Sequence, residues 1–104
     1  MTYQLSFYVP EENAEDVKKA LFKAGAGTQG HYEQACWQVL GQGQFKPMPG
    51  ATPSIGEENK LELVTEYKVE IVCSDEHIKT VIQSLKKAHP YEEPAYSVFK
   101  LESF

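Results

Sequence analysis

The sequence predicts a single α+β domain in which one four-stranded sheet carries two helices on one face. Three observations predict this class. The chain has 104 residues, about the size of one hydrophobic core. Two segments have apolar residues at helical spacing, and four segments have the character of strands. No repeat, linker or low-complexity tract divides the sequence, so residues 1–104 are interpreted as one domain.

The chain begins with a predicted strand and a predicted helix. Residues 2–9 alternate apolar and polar side chains, and Pro10 ends this strand. Residues 11–24 carry one apolar stripe at helical spacing. Asn13 is a candidate N-cap and Gly25 is a candidate for the position just after the helix.

The middle of the chain contains two predicted strands separated by a long connection. Residues 32–40 are the second strand candidate. Residues 41–59 hold four glycines and three prolines, which predicts a long connection without regular structure. Residues 60–73 alternate apolar and charged side chains over a long third strand.

The last part of the chain is a predicted helix followed by a short strand. Ser74 or Asp75 is expected to cap this helix. Its apolar stripe consists of Ile78, Val81, Ile82, Leu85 and Ala88. His89 and Pro90 end the helix, and residues 95–101 form the fourth strand.

The predicted order of elements is therefore βαββαβ. The handedness rule folds this order into an antiparallel sheet with both helices on one face, the ferredoxin-like fold. Residues 10–12, 41–59 and 89–94 then meet at one edge of the sheet, called the upper edge below. Residues 25–31 and 73–77 meet at the opposite, lower edge.

The charge of the chain argues against nucleic acids as partners, and its hydropathy argues against a membrane span. All ten cationic side chains are lysines, and 15 acidic side chains bring the net charge to −5. Without arginine there is no bidentate donor for phosphates or base edges, and the negative field repels a polyanion. No apolar run approaches the ~20 residues that span a bilayer, and the first four residues lack the charged start of a signal peptide. We therefore expect a cytoplasmic protein.

The two cysteines are predicted to be free and buried. If Leu40 and Lys60 begin the ladder between the second and third strands, Cys36 faces Val64. That position is nine residues from Cys73, roughly 30 Å along the strand. A disulfide needs Cα atoms within about 7 Å, so the pair is expected to remain unlinked.

Two features of the lower edge suggest a site without establishing one. Gly25, Gly27 and Gly30 have the spacing of a dinucleotide fingerprint, but they follow a helix rather than a strand, so a helix end is the preferred interpretation. His31, Cys73 and His77 lie on the same edge and could bind a soft metal ion. Three ligands fall short of the usual four, and solvated side chains are the favoured interpretation.

The turn at residues 89–94 has a functional and a structural interpretation. His89 and Glu93, with neighbouring carboxylates, could form a mixed nitrogen and oxygen site for a divalent metal. Alternatively, Pro90 and Pro94 rigidify a turn in which His89 caps the last carbonyls of the helix and Tyr91 packs on its end. The structural interpretation is favoured, because prolines and turns explain the segment without a ligand.

The connection at residues 41–59 is long enough to suggest a function. The only cations that this connection could bring to a phosphate are Lys46 and Lys60, and two glutamates lie beside them in the sequence. This composition disfavours a nucleotide as ligand. Phe45 and the neighbouring prolines present an apolar, extended backbone that suits a protein partner or a second subunit.

Several motifs resemble the insert domain of the Nif-three-like (YqfO-type) proteins. They are Gly25-Ala26-Gly27, Gly30-His31-Tyr32, Cys36, Gly41 to Pro47, Gly50 to Gly56, Glu62, Glu66 and His89 to Tyr96. The segment from His89 to Glu92 is also similar to a turn of the CutA family. Gln29 and the Tyr67-Lys68 pair depart from the family pattern.

The resemblance implies a PII/CutA-like version of the ferredoxin-like fold, which is usually trimeric. In full-length Nif-three-like proteins this domain lies between two halves that carry a dinuclear metal site. Neither half is present in this sequence, so no metal ligand can be transferred and a catalytic role is not expected. The loop at residues 41–59 corresponds in position to the effector loop of PII-like proteins.

We therefore predict a non-catalytic binding or regulatory module that self-associates, with a trimer favoured. The predicted binding groove lies at the upper edge and is lined by Phe45, Lys46, His89, Tyr91 and Glu93. No cofactor is required, and a metal at His89 and Glu93 remains the weaker hypothesis. Alternative functions are a PII-like small-molecule sensor and a CutA-like protein for divalent-metal binding or tolerance.

Overall fold

The computed structural model describes residues 2–104 and has the predicted ferredoxin-like architecture. Its elements are β1 (Thr2–Pro10), α1 (Ala14–Lys23), β2 (Trp37–Phe45), β3 (Glu62–Ser74), α2 (Ile78–Ala88) and β4 (Tyr96–Leu101), with a short 3-10 helix at Glu11–Asn13. The strands lie in the order β2-β3-β1-β4, and every neighbouring pair is antiparallel. The order of elements and the topology predicted from the sequence are confirmed.

The hydrophobic core lies between the two helices and the central strands. Alternate residues of β1 and β3 face the helices because side chains on a strand point to opposite faces in turn. The buried strand residues are Leu5, Phe7, Val9, Val69, Ile71 and Cys73, and the helices contribute Ala14, Val17, Leu21, Ile78, Val81 and Leu85. The predicted helical stripes are thus confirmed, except that Ala88 is exposed.

The other face of the sheet is not covered by helices and has a polar centre. Gln4 donates a hydrogen bond to Glu70 at 3.3 Å, and the Lys68 ammonium lies 3.6 Å from the same carboxylate. Exposed apolar side chains surround this centre, including Trp37 and Phe99. The open face is therefore of mixed character rather than a continuous apolar surface.

The hairpin of β2 and β3 extends beyond the rest of the sheet. The pairing of β3 with β1 ends at Glu66, whereas its pairing with β2 continues to Glu62. We call residues 42–45 and 62–65 the hairpin arm. This arm helps to give the molecule its elongated shape, 46 Å long and 24 Å wide.

The second strand begins five residues later than predicted and ends at Phe45. Residues before it form turns, with a bridge between Gln29 and Tyr32 and a left-handed conformation at Gln34 (φ 59°). Residues 41–45 belong to the strand, because the long β3 offers a continuous ladder that outweighs the poor strand propensity of glycine. The prediction that these five residues lack regular structure was wrong.

The predicted register between the second and third strands was also wrong. Leu40 pairs with Tyr67, so residue 36 is level with Ile71 rather than Val64. Cys36 therefore lies much nearer to Cys73 than the roughly 30 Å predicted. Both cysteines are free, but only Cys73 is buried, and Cys36 is exposed.

The helix ends agree in part with the sequence prediction, since Asn13 is the N-cap residue of α1 as expected. The Asn13 side chain makes no capping hydrogen bond, and His77 rather than Ser74 or Asp75 occupies the N-cap position of α2. Gly25 follows α1 with φ +112°, where a side chain is strained, and an added Cβ would lie 2.6 Å from the His77 ring. The interpretation of Gly25 as a helix end is confirmed.

The start of β1 and the end of β4 lie side by side. Thr2 at the start of β1 pairs with Leu101 at the end of β4, and on its other side with Ser74. Neither helix in residues 2–104 is long and apolar enough to cross a membrane.

Candidate functional site

A groove of about 560 Å³ opens at the upper edge of the sheet. Its walls come from three parts of the fold: the end of β2 with the loop that follows it, the turn before β4, and the two central strands through Tyr8 and Glu66. Small-molecule sites have comparable volumes. The edge chosen from the sequence is therefore the edge that carries a groove.

Four of the five predicted site residues line this groove. They are Phe45, Lys46, Tyr91 and Glu93. The fifth, His89, is only 5% exposed and does not line it. The prediction that His89 sets the polarity of the groove was wrong, because its ring lies behind Tyr91 at a centroid distance of 4.9 Å.

His89 connects the turn to the first strand. Its Nε2 lies 2.6 Å from the Tyr8 carbonyl oxygen, and its Nδ1 accepts a hydrogen bond from the Tyr91 backbone N–H at 3.0 Å. This pair of partners requires a neutral ring that carries its proton on Nε2. Burial lowers the pKa of His89, and the Tyr8 carbonyl only partly opposes that shift. The side chain therefore holds a strand carbonyl, rather than the helix carbonyls that the sequence suggested.

The structure gives no support to a metal at His89 and Glu93. Both ring nitrogens of His89 are already bonded to the backbone. Within residues 2–104, no group of three or more histidine, cysteine, aspartate or glutamate side chains is arranged to hold a metal ion. At the lower edge, the His77 ring is hydrogen-bonded through Nδ1 to the Ser74 hydroxyl at 3.1 Å.

Tyr91 is the centre of the groove wall. Its ring meets the Phe45 ring edge-on, with 5.6 Å between centroids. Its hydroxyl oxygen is buried and has no hydrogen-bond partner among the described residues. Burial raises the pKa of Tyr91 above its usual range, and the Glu66 carboxylate adds to the effect through its negative charge and its closeness to the hydroxyl, although the two groups do not meet in hydrogen-bond geometry. A buried hydroxyl without a partner costs about 1–3 kcal/mol, which a ligand group could recover.

Glu66 is a groove residue that the sequence analysis did not select as a binding residue. It lies on β3 opposite Gly41 and Pro10, and its carboxylate lies over Gly43. A Cβ at position 43 would overlap with the Glu66 carboxylate oxygen. A glycine inside an edge strand is a signal of such a close approach. That signal was missed because Gly43 had been placed in a loop.

The loop after β2 is folded against the turn before β4. The Thr52 hydroxyl donates a hydrogen bond to the Glu92 carboxylate, which joins the two segments. Within the loop, the Asn59 N–H donates to the Pro47 carbonyl at 2.6 Å, with Asn59 in a left-handed conformation (φ 63°). These bonds give the groove a closed rim although the loop contains no helix or strand.

The chain is related in sequence to longer proteins. No protein-family model matches it. It is 46% identical over 94 residues to a Mycobacterium bovis protein called GTP cyclohydrolase 1 type 2 homolog. The match covers 90% of this chain and 25% of that protein. The chain therefore spans about a quarter of the length of the relative that it matches.

Solved structures show the same relationship. A Bacillus cereus protein related to NIF3 superposes with a TM-score of 0.83 at 35% identity, over 98% of this chain and 26% of that one. The divalent cation tolerance protein CutA from Archaeoglobus fulgidus superposes with a TM-score of 0.70 over 100% of this chain and 87% of that one. Its sequence identity is 20%, so this second likeness shows the fold alone.

Proposed function

This chain is related to one segment of the Nif-three-like proteins, and we propose that it is a self-associating, non-catalytic binding module. The observation that carries the proposal is the convergence of three chain segments on one groove at the upper edge. Binding residues are commonly carried by loops on a rigid scaffold, and the sheet provides that scaffold here. The PII-like and CutA-like functions remain alternatives that rest on similarity of fold.

The groove accounts for the proposed binding role. Phe45 and Tyr91 provide contact area, and Lys46 and Glu93 are charged groups of opposite sign. The loop that follows β2 forms the rim and could equally contact a protein partner, as the segment 41–59 suggested. His89 supports the groove from behind rather than contacting a ligand.

Binding can be tested by two-dimensional NMR with a panel of small amines, carboxylates and nucleosides. We expect at least one class to shift the amide resonances of groove residues. Phe45→Ala should weaken that effect. The matched control is Phe99→Ala, which removes an aromatic ring that is 55% exposed on the open face, outside the groove. If no class perturbs the groove resonances, the binding role is wrong.

Self-association is supported by exposed apolar side chains on and beside the hairpin arm. Leu61 and Leu63 are exposed, and so is Leu40, which lies on the same face of the hairpin. These side chains form a row along one face of the hairpin, and burying such a row against a second copy would remove apolar surface from water. We expect light scattering to give the mass of an oligomer, with a trimer favoured, and Leu63→Glu to shift it toward the 11.7 kDa monomer. A monomeric wild type at micromolar concentration would contradict this.

The absence of catalysis is part of the same proposal. The relative's name refers to GTP cyclohydrolase, but this chain matches only a quarter of that protein. We expect no conversion of GTP when it is incubated with the purified protein and analysed by chromatography. Turnover that falls in a Glu66→Gln variant would show that the chain is an enzyme.

A further inference from the structure

The groove has an excess of negative charge. Its lining includes the carboxylates of Glu66, Glu92 and Glu93 but a single cation, Lys46. Among residues 2–104, neither Lys46 nor Glu66 nor Glu93 forms an ion pair. The chain as a whole also carries a net charge of −5. An anionic ligand would therefore be repelled, whereas a cationic one would be attracted.

Glu66 and Tyr91 bring hydrogen-bond acceptors to the groove. An ionised carboxylate at Glu66 can only accept hydrogen bonds, and it lies over the strand backbone at Gly43, which leaves no room for a side chain there. Beside it, the buried Tyr91 hydroxyl has no partner among the described residues. An ammonium group carries three donors, so one that reaches Glu66 has donors left for the Tyr91 oxygen once the neighbouring side chains move to expose it, whereas an alcohol carries only one donor.

The rest of the groove suits the remainder of such a ligand. The rings of Tyr8, Phe45 and Tyr91 line it, and aromatic faces attract cations. Met48 and Ile55 add aliphatic surface on the side of the loop. A ligand with a charged group at Glu66 and an apolar chain against these side chains would match this lining.

We propose that the groove binds an organic cation, a primary ammonium group on an apolar chain, with Glu66 and the Tyr91 hydroxyl as its polar partners. This inference rests on the proposed binding role of the groove. It is narrower than that role, because it names the charge and the shape of the ligand.

The test compares three probes that share a six-carbon chain: hexylammonium, hexan-1-ol and hexanoate. Titrations are followed by the amide resonances of the groove. We expect hexylammonium to bind roughly tenfold or more tightly than hexan-1-ol, since hydrogen bonds to charged groups exceed those between neutral groups. Hexanoate should not bind. Nα-acetyl-lysinamide, which carries the same ammonium on a peptide unit, distinguishes a lysine side chain from a free amine as the source.

Variants assign the binding to the proposed atoms. Glu66→Gln keeps the shape but removes the charge, and it should weaken hexylammonium binding by roughly tenfold. Tyr91→Phe should weaken it by a smaller factor. The control is Glu33→Gln, an exposed carboxylate outside the groove, which should leave the affinity unchanged.

Two outcomes would overturn the inference in distinguishable ways. If hexan-1-ol or hexanoate binds the groove as well as hexylammonium, or if Glu66→Gln binds as the wild type does, the groove is a binding site but not one for cations. If no probe perturbs the groove and the wider panel also fails, the proposed binding role is wrong as well.

Discussion

The part of the sheet under the helices and the upper edge with its hairpin arm use apolar side chains in opposite ways. Leu85 on α2 is fully buried, whereas Leu63 in the arm is 53% exposed. Both are leucines in regular elements, but only the first removes its full surface from water. The stability of the fold therefore depends mainly on the part under the helices. The apolar surface at the upper edge is available for contacts with other molecules.

The largest effect on the free energy of unfolding is expected for a substitution in the helix-covered part of the sheet. Leu85→Ala should lower the free energy of unfolding by about 2–5 kcal/mol, because it leaves a cavity among residues that cannot collapse completely. Urea denaturation measures this loss. Leu63→Ala in the arm is the matched control and should cost well under 1 kcal/mol in a monomer. Equal losses for the two variants would mean that the arm contributes to the core.

The next effect is expected at the side chain that joins the two regions. His89→Ala removes the contact with the Tyr8 carbonyl and the acceptor of the Tyr91 N–H. Buried groups left without partners cost about 1–3 kcal/mol, so the free energy of unfolding should fall by that amount. His31→Ala is the control, since His31 is exposed. If His89→Ala has no effect on denaturation, the turn does not depend on this side chain.

His89 also predicts a pH dependence. Burial holds its folded-state pKa below the ordinary value of 6.5, so the unfolded chain binds a proton more readily than the folded one. The contribution of neutral His89 to the free energy of unfolding is therefore complete above pH 6.5 and is lost as the pH falls below that value. Below pH 6.5 the free energy of unfolding of the wild type should fall faster than that of His89→Gln, by up to about 1.4 kcal/mol per pH unit. Urea denaturation at pH 7.5 and 5.5 compares them, and parallel losses would contradict the shift.

A smaller effect on stability but a clear effect on the groove is expected for Gly43→Ala. The added Cβ would overlap with the Glu66 carboxylate, which must move. Because the end of a glutamate side chain is flexible, we expect a loss of less than about 1 kcal/mol. The amide resonances around Tyr91 should shift. Gly41→Ala is the control, since nothing lies within 4 Å of a Cβ there. If Gly43→Ala shifts the resonances around Tyr91 no more than Gly41→Ala does, the Glu66 carboxylate does not lie over Gly43.

The smallest effect is expected for the cysteines. Cys73 is buried, and desolvation raises the pKa of its thiol, which makes it a poor nucleophile. Reducing agent should therefore leave the melting temperature of freshly purified protein unchanged. Intact mass should show both thiols, and a loss of two protons would reveal a disulfide.

The sequence predicted the helix-covered part better than the edge. Side chains such as Val69 and Ile71 alternate with charged ones, and this alternation identifies a strand regardless of its neighbours. The register of β2 could not be predicted in the same way, because its glycines and glutamines carry little alternation. The long partner strand determines that register, and a partner is not visible in local sequence.

The sequence predicted which edge of the sheet carries the groove, but it did not predict the surroundings of every side chain there. Turn residues and prolines located the segment that holds Tyr91, and chain topology brought Phe45 to it. His89 was misassigned, because its partner is a backbone carbonyl on β1, 81 residues away in the chain. Glu66 was missed because its importance depends on which strand residue it lies against.

The pairing of Thr2 with Leu101 has a consequence for how this fold can be combined with others. Partners across an antiparallel ladder have Cα atoms about 5 Å apart, so the chain enters and leaves the fold at nearly the same point. A unit of this kind can be spliced into a surface loop of a host protein by two short linkers, without separating the ends of that loop. The upper edge with its groove lies at the far end of β1 from this junction, so it would point away from the host.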